Sequence, residues 1–332
     1  MQASVAYPEC QEEEMFVGVT PKMLQMAPLR GSMQRQFQTI ALTGRTEDPR
    51  IADSMRALAS HLQGNDCRVV AEEDVAAGLI GLDIEALPLA ELVAVTDLMI
   101  AVGGDGTMLF ATRLVAEHGI PLLGINRGRL GFLADVGSNE MLQGVDEVLG
   151  GKYVEETRLM LLAEVDGHPN SGTVMALNDI VVEKKGTGRM VDLETWIDGV
   201  YVNTHEGDGL VVATPTGSTA YALSGGGPIL HPNMNAFVLV PICPHTLSDR
   251  PLVVRGDRVI EIKMIERGDS RSAISSDGRH FSDLSPGQTL RISRSEYSAT
   301  LIHPNGYDYF RILRSKLNWG RGSRSRALSD KG

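Results

Sequence analysis

The chain has 332 residues, of which 42% are hydrophobic and 22% are charged, and its formal net charge is −11. This composition is typical of globular proteins and excludes a disordered or fibrous chain, and the length allows two ordinary domains. The negative charge argues against nucleic-acid and membrane partners, because phosphate backbones and anionic lipids attract basic surfaces.

The cysteines and the termini point to a cytoplasmic protein. Cys10, Cys67 and Cys243 have no spacing typical of a metal site or a disulfide framework, which predicts reduced thiols. No segment approaches about 20 uninterrupted apolar residues, so no transmembrane helix is expected. The first residues lack the basic and apolar regions of a secretory signal.

Strands and helices alternate in the first half of the chain, after an aperiodic segment, residues 1–36, that is predicted to be a flexible extension. The predicted elements are a strand at 37–44, a helix from Pro49 to Leu62 closed by Gly64, strands at 68–72 and 97–102, a helix at 107–118 and a strand at 121–126. This alternation predicts an α/β domain over residues 37–155 with an open, mostly parallel sheet. Ligands of such sheets bind at the C-terminal ends of the strands.

A β-rich, sandwich-like domain is predicted over residues 156–315, with strands at 159–165, 174–182, 193–197 and 210–213. Asp198-Gly199 predicts a hairpin, because glycine accepts positive φ at a tight turn, and Gly256-Asp257 and Asp277-Gly278 are expected to make similar turns. Residues 309–317 are predicted to be a helix or a strand. The basic tail, residues 316–332, is predicted to be flexible.

The first motif that carries chemistry is Gly103-Gly104-Asp105-Gly106-Thr107, between a predicted strand and a predicted helix. Adjacent glycines let the backbone approach a ligand, and N–H groups at a helix start can bind phosphate. Asp105 could accept a proton from an attacking hydroxyl or help to hold a metal ion. The alternative is that Asp105 caps the helix and that the glycines serve only the turn. Neither GxxxxGK(S/T) nor GxGxxG is present, which disfavours a P-loop and a conventional hydride-transfer fold.

A second motif runs from Gly207 to Leu230 and is dense in hydroxyl groups, those of Thr214, Thr216, Ser218, Thr219, Tyr221 and Ser224. Because hydroxyls both donate and accept hydrogen bonds, this set suits recognition of ribose or of an adenine or nicotinamide amide edge. The alternative is a loop rich in glycine and serine whose hydroxyls cap the next helix.

Together with Asn178-Asp179 and the stretch from Asp208 to Pro228, the Gly103–Thr107 loop resembles the NAD kinase family. Residues 124–133 and 244–251 are also similar to that family, and the resemblance covers roughly residues 37–315. Its most specific part is the string from Thr214 to Tyr221. The glycine loop alone is shared with diacylglycerol-type lipid kinases and phosphofructokinases.

The resemblance implies ATP-dependent phosphorylation of NAD at the 2′-hydroxyl of its adenosine ribose, giving NADP and ADP, with Asp105 as the catalytic base. It implies an NAD-binding set made of Gly106, Thr107, Phe132, Asn178, Asp179, Asp208, Thr219, Ala220, Tyr221 and Ser224. Phosphate or ATP contacts are expected from Gly103, Gly104, Arg127 and Arg189. Mg²⁺ is expected to be carried by ATP with few protein ligands. A homodimer or homotetramer is implied as well.

Three positions refine this reading. Asp179 stands where many relatives have Glu, and Gly225 stands where Ala is expected. The position two residues before Asp208 is associated in that family with the choice of phosphoryl donor, and relatives that also use polyphosphate resemble a Gly type there, so the resemblance implies that Glu206 favours ATP as the sole donor. Two alternatives remain open: a lipid kinase, which the hydroxyl-rich segment does not fit, and a catalytically idle dinucleotide-binding regulator, against which an intact Asp105 weighs.

Overall fold

A computed structural model of the chain describes residues 37–128, 131–166, 172–186, 190–265 and 271–319. The predicted extension at 1–36, Arg189 and all but the first residues of the predicted tail at 316–332 lie outside these ranges. No helix in the described ranges is long and apolar enough to cross a membrane.

The first half of the chain forms the predicted α/β domain. Its strands are β1 (Thr39–Gly44), β2 (Arg68–Ala71), β3 (Glu85–Ala86), β4 (Leu98–Gly103), β5 (Leu122–Asn126) and β6 (Val136–Gly137). Its helices are α1 (Pro49–Gly64), α2 (Glu73–Ala77), α3 (Leu89–Val95), α4 (Asp105–Val115) and α5 (Met141–Leu149). The strands pair in the order β5-β4-β1-β2-β3, and every pair in this row is parallel.

Helices cover both faces of this sheet, which explains why its central strands are uniformly apolar. Strand β4 is buried along its whole length. Helices α1 and α5 pack on one face, and α3 and α4 pack on the other. Helix α1 begins as the sequence predicts, because the Asp48 side chain accepts a hydrogen bond from the Arg50 N–H and Pro49 occupies the first turn. Packing of these helices on both faces of the sheet fixes the positions of the strand ends, including the end of β4 that leads into the glycine loop.

The second half forms the predicted β-sandwich. Its strands are β7 (Tyr153–Val165), β8 (Thr173–Ala176), β9 (Asp179–Lys184), β10 (Val191–Ile197), β11 (Val200–Gly207), β12 (Gly209–Ala213), β13 (Ala236–Ile242), β14 (Leu252–Arg255), β15 (Ile260–Met264), β16 (Ser272–Ser276), β17 (Arg279–Leu284) and β18 (Thr289–Pro304). Two helices complete it, α6 (Tyr221–Ser224) and α7 (Tyr309–Lys316). One layer is an antiparallel sheet in the order β14-β13-β12-β9-β16-β17.

The other layer of the sandwich is continuous with the parallel sheet of the first domain. Strand β18 pairs with β15 along its first half, and it pairs in parallel with β5 where Leu301 faces Leu122. The result is a single 12-stranded sheet. The sandwich core lies between this sheet and the six-stranded one, with Leu193 and Ile262 on one side and Val212 and Phe237 on the other. The predicted domain boundary at residue 155 falls within β7 and stays a prediction.

The structure corrects two local predictions. The strand predicted at 174–182 is broken at Leu177 and Asn178 into β8 and β9, which belong to different sheets. Gly256-Asp257 forms a turn as predicted, but this turn does not close a hairpin, because β14 and β15 lie in different sheets and do not pair.

Other local predictions are confirmed, although some helices were missed. Asp198-Gly199 and Asp277-Gly278 form two-residue hairpins in which all four residues have positive φ. Residues 309–316 form a helix. Helices α2, α3 and α5 had no counterpart among the predicted elements.

Candidate active site

The Gly103–Thr107 loop lies at the centre of one sheet edge. Parallel pairing places the ends of β1, β4 and β5 side by side, with Gly44 opposite Val102 and Gly103 opposite Asn126. This edge is the C-terminal edge of the strands, where α/β sheets bind their ligands. The glycine loop therefore lies at the edge of the sheet where the sequence predicts ligand binding.

Glycine is required at position 103 by a close approach of two parts of the loop. A Cβ atom at Gly103 would lie 2.2 Å from the Thr107 Oγ1. Helix α4 begins at Asp105, two residues earlier than predicted, and Gly104 is its N-cap. The start of α4 and the cationic side chains of Arg45 and Arg127 border a cavity of 760 Å³. The helix start and the two arginines favour an anionic ligand such as a phosphate group, whereas Glu47 and Asp48, which line the same cavity, oppose one.

Asp105 does not cap its helix, so the capping alternative does not hold for this residue, and its catalytic role stays a prediction. One carboxylate oxygen accepts a hydrogen bond from the Phe132 N–H at 3.0 Å, and the other accepts one from the Leu133 N–H at 3.0 Å. A Cβ atom at Gly131 would lie 2.0 Å from the Asp105 Oδ1, so glycine at 131 permits this contact. Each carboxylate oxygen keeps a further lone pair, and the residue is partly exposed.

Three cavities join into one cleft between the two domains. The 760 Å³ cavity shares Gly106 and Thr107 with a second cavity of 590 Å³. The second cavity shares Leu109 and Asp277 with a third cavity of 670 Å³. The third cavity is lined by predicted dinucleotide-binding residues, Asn178, Asp179, Ala220 and Tyr221. The cleft therefore connects the glycine loop with the residues predicted to hold NAD.

Asp277 anchors the far wall of the cleft, and sequence reasoning missed this role. Its fully buried carboxylate accepts hydrogen bonds from the N–H groups of three consecutive residues, Leu177, Asn178 and Asp179, at 3.1, 2.8 and 3.3 Å. The Arg113 Nη1 on α4 lies 3.7 Å from the same carboxylate. Burial raises the pKa of Asp277, although the backbone N–H groups and Arg113 oppose the shift. Asp277 thus links the wall at 177–179 to the helix of the glycine loop.

Asp179 lies beside Asp277 and is 5% exposed. Burial, and then the nearby charge of Asp277, raise the pKa of Asp179 to about 7, while a hydrogen bond from the Tyr221 N–H opposes the shift. A carboxyl group with this pKa is partly protonated at neutral pH, so it can donate a hydrogen bond as well as accept one.

Three hydroxyls of the second motif face the protein and not a ligand. Thr214 and Ser218 are fully buried, and Thr216 is 6% exposed. The Thr214 Oγ1 donates to the Leu177 carbonyl at 2.5 Å, and the Ser218 Oγ donates to the Pro215 carbonyl at 2.6 Å. The expectation that these hydroxyls recognise ribose or an amide edge is therefore wrong for Thr214 and Ser218. They hold the loop in shape and place Ala220 and Tyr221 at the cleft.

The remaining predicted site residues are distributed around the cleft. Five of the predicted site residues are absent from the lining of these three cavities, Asp105, Phe132, Asp208, Thr219 and Ser224. The Asp208 carboxylate pairs with the Lys184 Nζ at 2.6 Å, and the Lys316 Nζ lies 5.3 Å from the centre of the Phe132 ring. Their roles stay predictions. Arg189 lies outside the described residues.

A metal ion that is bound by the protein alone needs several converging side-chain ligands. Within the described ranges, no three or more His, Cys, Asp or Glu side chains converge in a way that could hold one. A divalent ion at the glycine loop would therefore take most of its ligands from phosphate oxygens and water, which is how Mg²⁺ commonly accompanies nucleotides.

Both halves of the chain match family models. The ATP-NAD kinase N-terminal domain matches residues 40–153, and the ATP-NAD kinase C-terminal domain matches residues 177–304. These matches and the cleft define the protein as a kinase, an enzyme that transfers a phosphoryl group. The chain belongs to the NAD kinase family.

Individual relatives agree with this assignment. The chain is 45% identical to an NAD kinase of Thiobacillus denitrificans over 87% of its length and 99% of the relative, and 44% identical to one of Aromatoleum aromaticum over 86% and 96%. A yeast NADH kinase complexed with NADH has a TM-score of 0.80 at 27% identity, covering 88% of this chain and 91% of the yeast chain. An Archaeoglobus fulgidus NAD kinase in complex with ATP has a TM-score of 0.66 at 25% identity, covering 85% and 98%.

Proposed function

We propose that this chain transfers the γ-phosphate of ATP to the 2′-hydroxyl of the adenosine ribose of NAD, giving NADP and ADP, with Asp105 as the general base. ATP-dependent phosphorylation of NAD is the activity of the family to which the chain belongs. The observation that carries the atomic assignment is the Asp105 carboxylate. Asp105 is the first residue of α4, and its carboxylate accepts hydrogen bonds from the Phe132 and Leu133 N–H groups; the neighbouring Gly104, Gly106 and Thr107 border the cleft.

In this reaction the protein mainly positions groups and stabilises charge, because phosphoryl transfer demands little covalent chemistry from it. The free lone pairs of Asp105 would accept the proton of the ribose hydroxyl as the oxygen attacks phosphorus. Such a base is worth about 10² to 10⁴ in rate. The start of α4, with Arg45 and Arg127, would bind the phosphate groups in the 760 Å³ cavity.

NAD would occupy the cavity of 670 Å³, which Asn178, Asp179, Ala220 and Tyr221 line. Asn178 supplies an amide that both donates and accepts, and Asp179 supplies a carboxyl group near its pKa. These groups match the paired donors and acceptors of a ribose diol. Phe132, Asp208, Thr219 and Ser224 belong to the same proposed binding set.

Mg²⁺ is the divalent ion proposed for the reaction. It would neutralise charge on the transferring phosphoryl group while bound to ATP. Because Mg²⁺ commonly binds through one or two carboxylates and the phosphates of its nucleotide, the ion would be held chiefly by ATP.

We also propose a cytoplasmic location, a domain division near residue 155 and a homodimeric or homotetrameric state. Self-association is supported by strand β11, at one end of the 12-stranded sheet, where Val200 and Tyr201 are 68% and 49% exposed. Exposed apolar side chains on a free strand edge favour contact with another chain. Light scattering of the purified protein would give the subunit number.

The activity is tested by incubating the purified protein with NAD, ATP and Mg²⁺ and measuring NADP. NADP formation is expected, and Asp105→Asn is expected to keep ligand binding. Absence of NADP across a range of divalent metals would refute the proposal. Parallel reactions with NADH and with polyphosphate define the range of acceptors and donors.

A further inference from the structure

A row of buried charged side chains lies behind the cleft and takes no part in the proposed chemistry. It consists of Asp135, His303, Glu156 and Arg158, which we call the buried charge chain. The His303 Nδ1 lies 3.0 Å from the Asp135 Oδ2, and the His303 Nε2 lies 3.3 Å from the Glu156 Oε2. Glu156 in turn forms an ion pair with the Arg158 Nη2. Three of the four residues are at least nine-tenths buried.

The signs of charge alternate along this row when His303 is protonated. A neutral imidazole has one N–H, whereas both ring nitrogens of His303 face carboxylates, so only the imidazolium presents an N–H to each of them. Burial lowers the pKa of His303, but its contacts with Asp135 and Glu156 outweigh burial and raise the pKa. The neighbouring Tyr307 stacks on the His303 ring and donates its hydroxyl to Glu156.

The two ends of the buried charge chain lie close to two segments that are important for the proposed site. Asp135 lies two residues beyond Leu133, whose N–H holds the Asp105 carboxylate. At the other end, the Arg158 Nη1 donates to the Thr216 Oγ1 at 3.2 Å. The row therefore connects the segment that holds the proposed base with the hydroxyl-rich loop.

The position of Thr216 affects the wall of the 670 Å³ cavity in which NAD is proposed to bind. Its carbonyl accepts the Thr219 hydroxyl at 3.0 Å, one residue before the cavity-lining Ala220. The next residue, Gly217, packs so tightly that an added Cβ atom would lie 2.0 Å from the Asn178 carbonyl oxygen. A shift of Thr216 would consequently move Ala220 and press on Asn178.

We infer that Arg158 and His303 are positioning residues. Through the buried charge chain they fix the turn that begins at Thr216, and with it the wall of the 670 Å³ cavity, relative to the segment that holds Asp105. This inference rests on the proposed function. Buried ion pairs seldom add net stability over apolar packing, so a role in positioning accounts for a row that stability alone does not explain.

The first test replaces the acceptor at the end of the row. Thr216→Val keeps the shape of the side chain and removes the oxygen that Arg158 contacts, whereas Thr216→Ser keeps the oxygen. Steady-state assays are expected to give a KM for NAD that is about tenfold higher in the Val variant, from loss of a hydrogen bond to a charged group. The KM for ATP should be unchanged, and the Ser variant should lie within about twofold of the wild type.

The second test asks whether the far end of the row acts through Thr216. His303→Gln cannot carry the positive charge that His303 places between Asp135 and Glu156, so the KM for NAD should rise severalfold. Combining His303→Gln with Thr216→Val should add nothing beyond the Val variant alone, because coupled residues are not additive. In the wild type, the KM for NAD should rise above the pKa of His303, and this rise should vanish in His303→Gln.

The outcomes separate the two proposals. An inactive wild-type protein would refute the proposed function. If the wild type is active but Thr216→Val leaves the KM for NAD unchanged, the positioning role alone is overturned. The same holds if the effects of Thr216→Val and His303→Gln multiply in the double variant. A loss in which the KM values for NAD and ATP rise together with a lower melting temperature would mark a general structural defect and would also overturn it.

Discussion

Gly131 offers a way to move the proposed base without removing it. In Gly131→Ala the added Cβ atom would meet the Asp105 Oδ1 at 2.0 Å and the Asp105 Cγ at 2.8 Å. Ordinary contacts of a Cβ atom begin at 3.4 Å, so the carboxylate must retreat by more than about 1 Å. Misplacement of a reacting group by about 1 Å can cost about 10² in rate. We expect kcat to fall by about that factor, with a smaller change in the KM for NAD.

The matched control is Gly137→Ala, because a Cβ atom at Gly137 meets nothing within 4 Å. Both variants would be assayed for NADP formation under saturating NAD and ATP, and their melting temperatures would be compared. Gly137→Ala should behave as the wild type in both measurements. If Gly131→Ala kept its full kcat while remaining folded, the position of Asp105 would not matter, and the role as base would be refuted.

Three further predictions concern carboxylates of the cleft. Asp105→Asn should lower kcat by about 10² to 10⁴ while isothermal titration still detects NAD binding. Asp277→Asn should raise the KM for NAD about tenfold, because an amide nitrogen cannot accept the Leu177 N–H, whereas the surface variant Asp257→Asn should leave the KM unchanged. Asp179→Asn should gain stability relative to the wild type as pH rises from about 4 to about 7, measured by chemical denaturation.

The sign of the last effect follows from the pKa of Asp179. Its folded pKa of about 7 exceeds the ordinary value of 3.8, so between these values the folded state holds a proton that the unfolded state has lost. The free energy of unfolding of the wild type therefore falls as pH rises through this interval, and Asn does not titrate. A pH-independent stability difference would contradict the raised pKa. Full turnover in Asp105→Asn, or an unchanged KM in Asp277→Asn, would contradict the other two.

The sequence was informative where the determining interactions are local. The strand, the glycine loop and the following helix were predicted because hydrophobic pattern and glycine spacing lie within about 20 consecutive residues. The hairpins at Asp198-Gly199 and Asp277-Gly278 were predicted for the same reason, since a two-residue turn is specified by its own residues. The resemblance of several motifs to one family named four of the residues that line the third cavity, Asn178, Asp179, Ala220 and Tyr221, and their role in binding NAD stays a prediction.

Long-range contacts were beyond such reasoning. Asp277 was read only as part of a turn, yet its carboxylate binds backbone N–H groups about 100 positions earlier in the chain. The hydroxyl of Thr214 was expected at a ligand because its residue type suits one, but the partner that it meets is the Leu177 carbonyl. Residue type gives the capacity to form a hydrogen bond, and only the fold decides which partner is near.

Strand β18 has a consequence for how the protein is made. Leu301 and Ile302 complete the row of hydrogen bonds beside Leu122 and Leu123 of β5. During synthesis this apolar edge stays unpaired until the sandwich strands have left the ribosome, and open strand edges recruit other chains. A chain truncated near the predicted domain boundary would therefore expose this strand edge and aggregate, and it would not fold into an independent first domain.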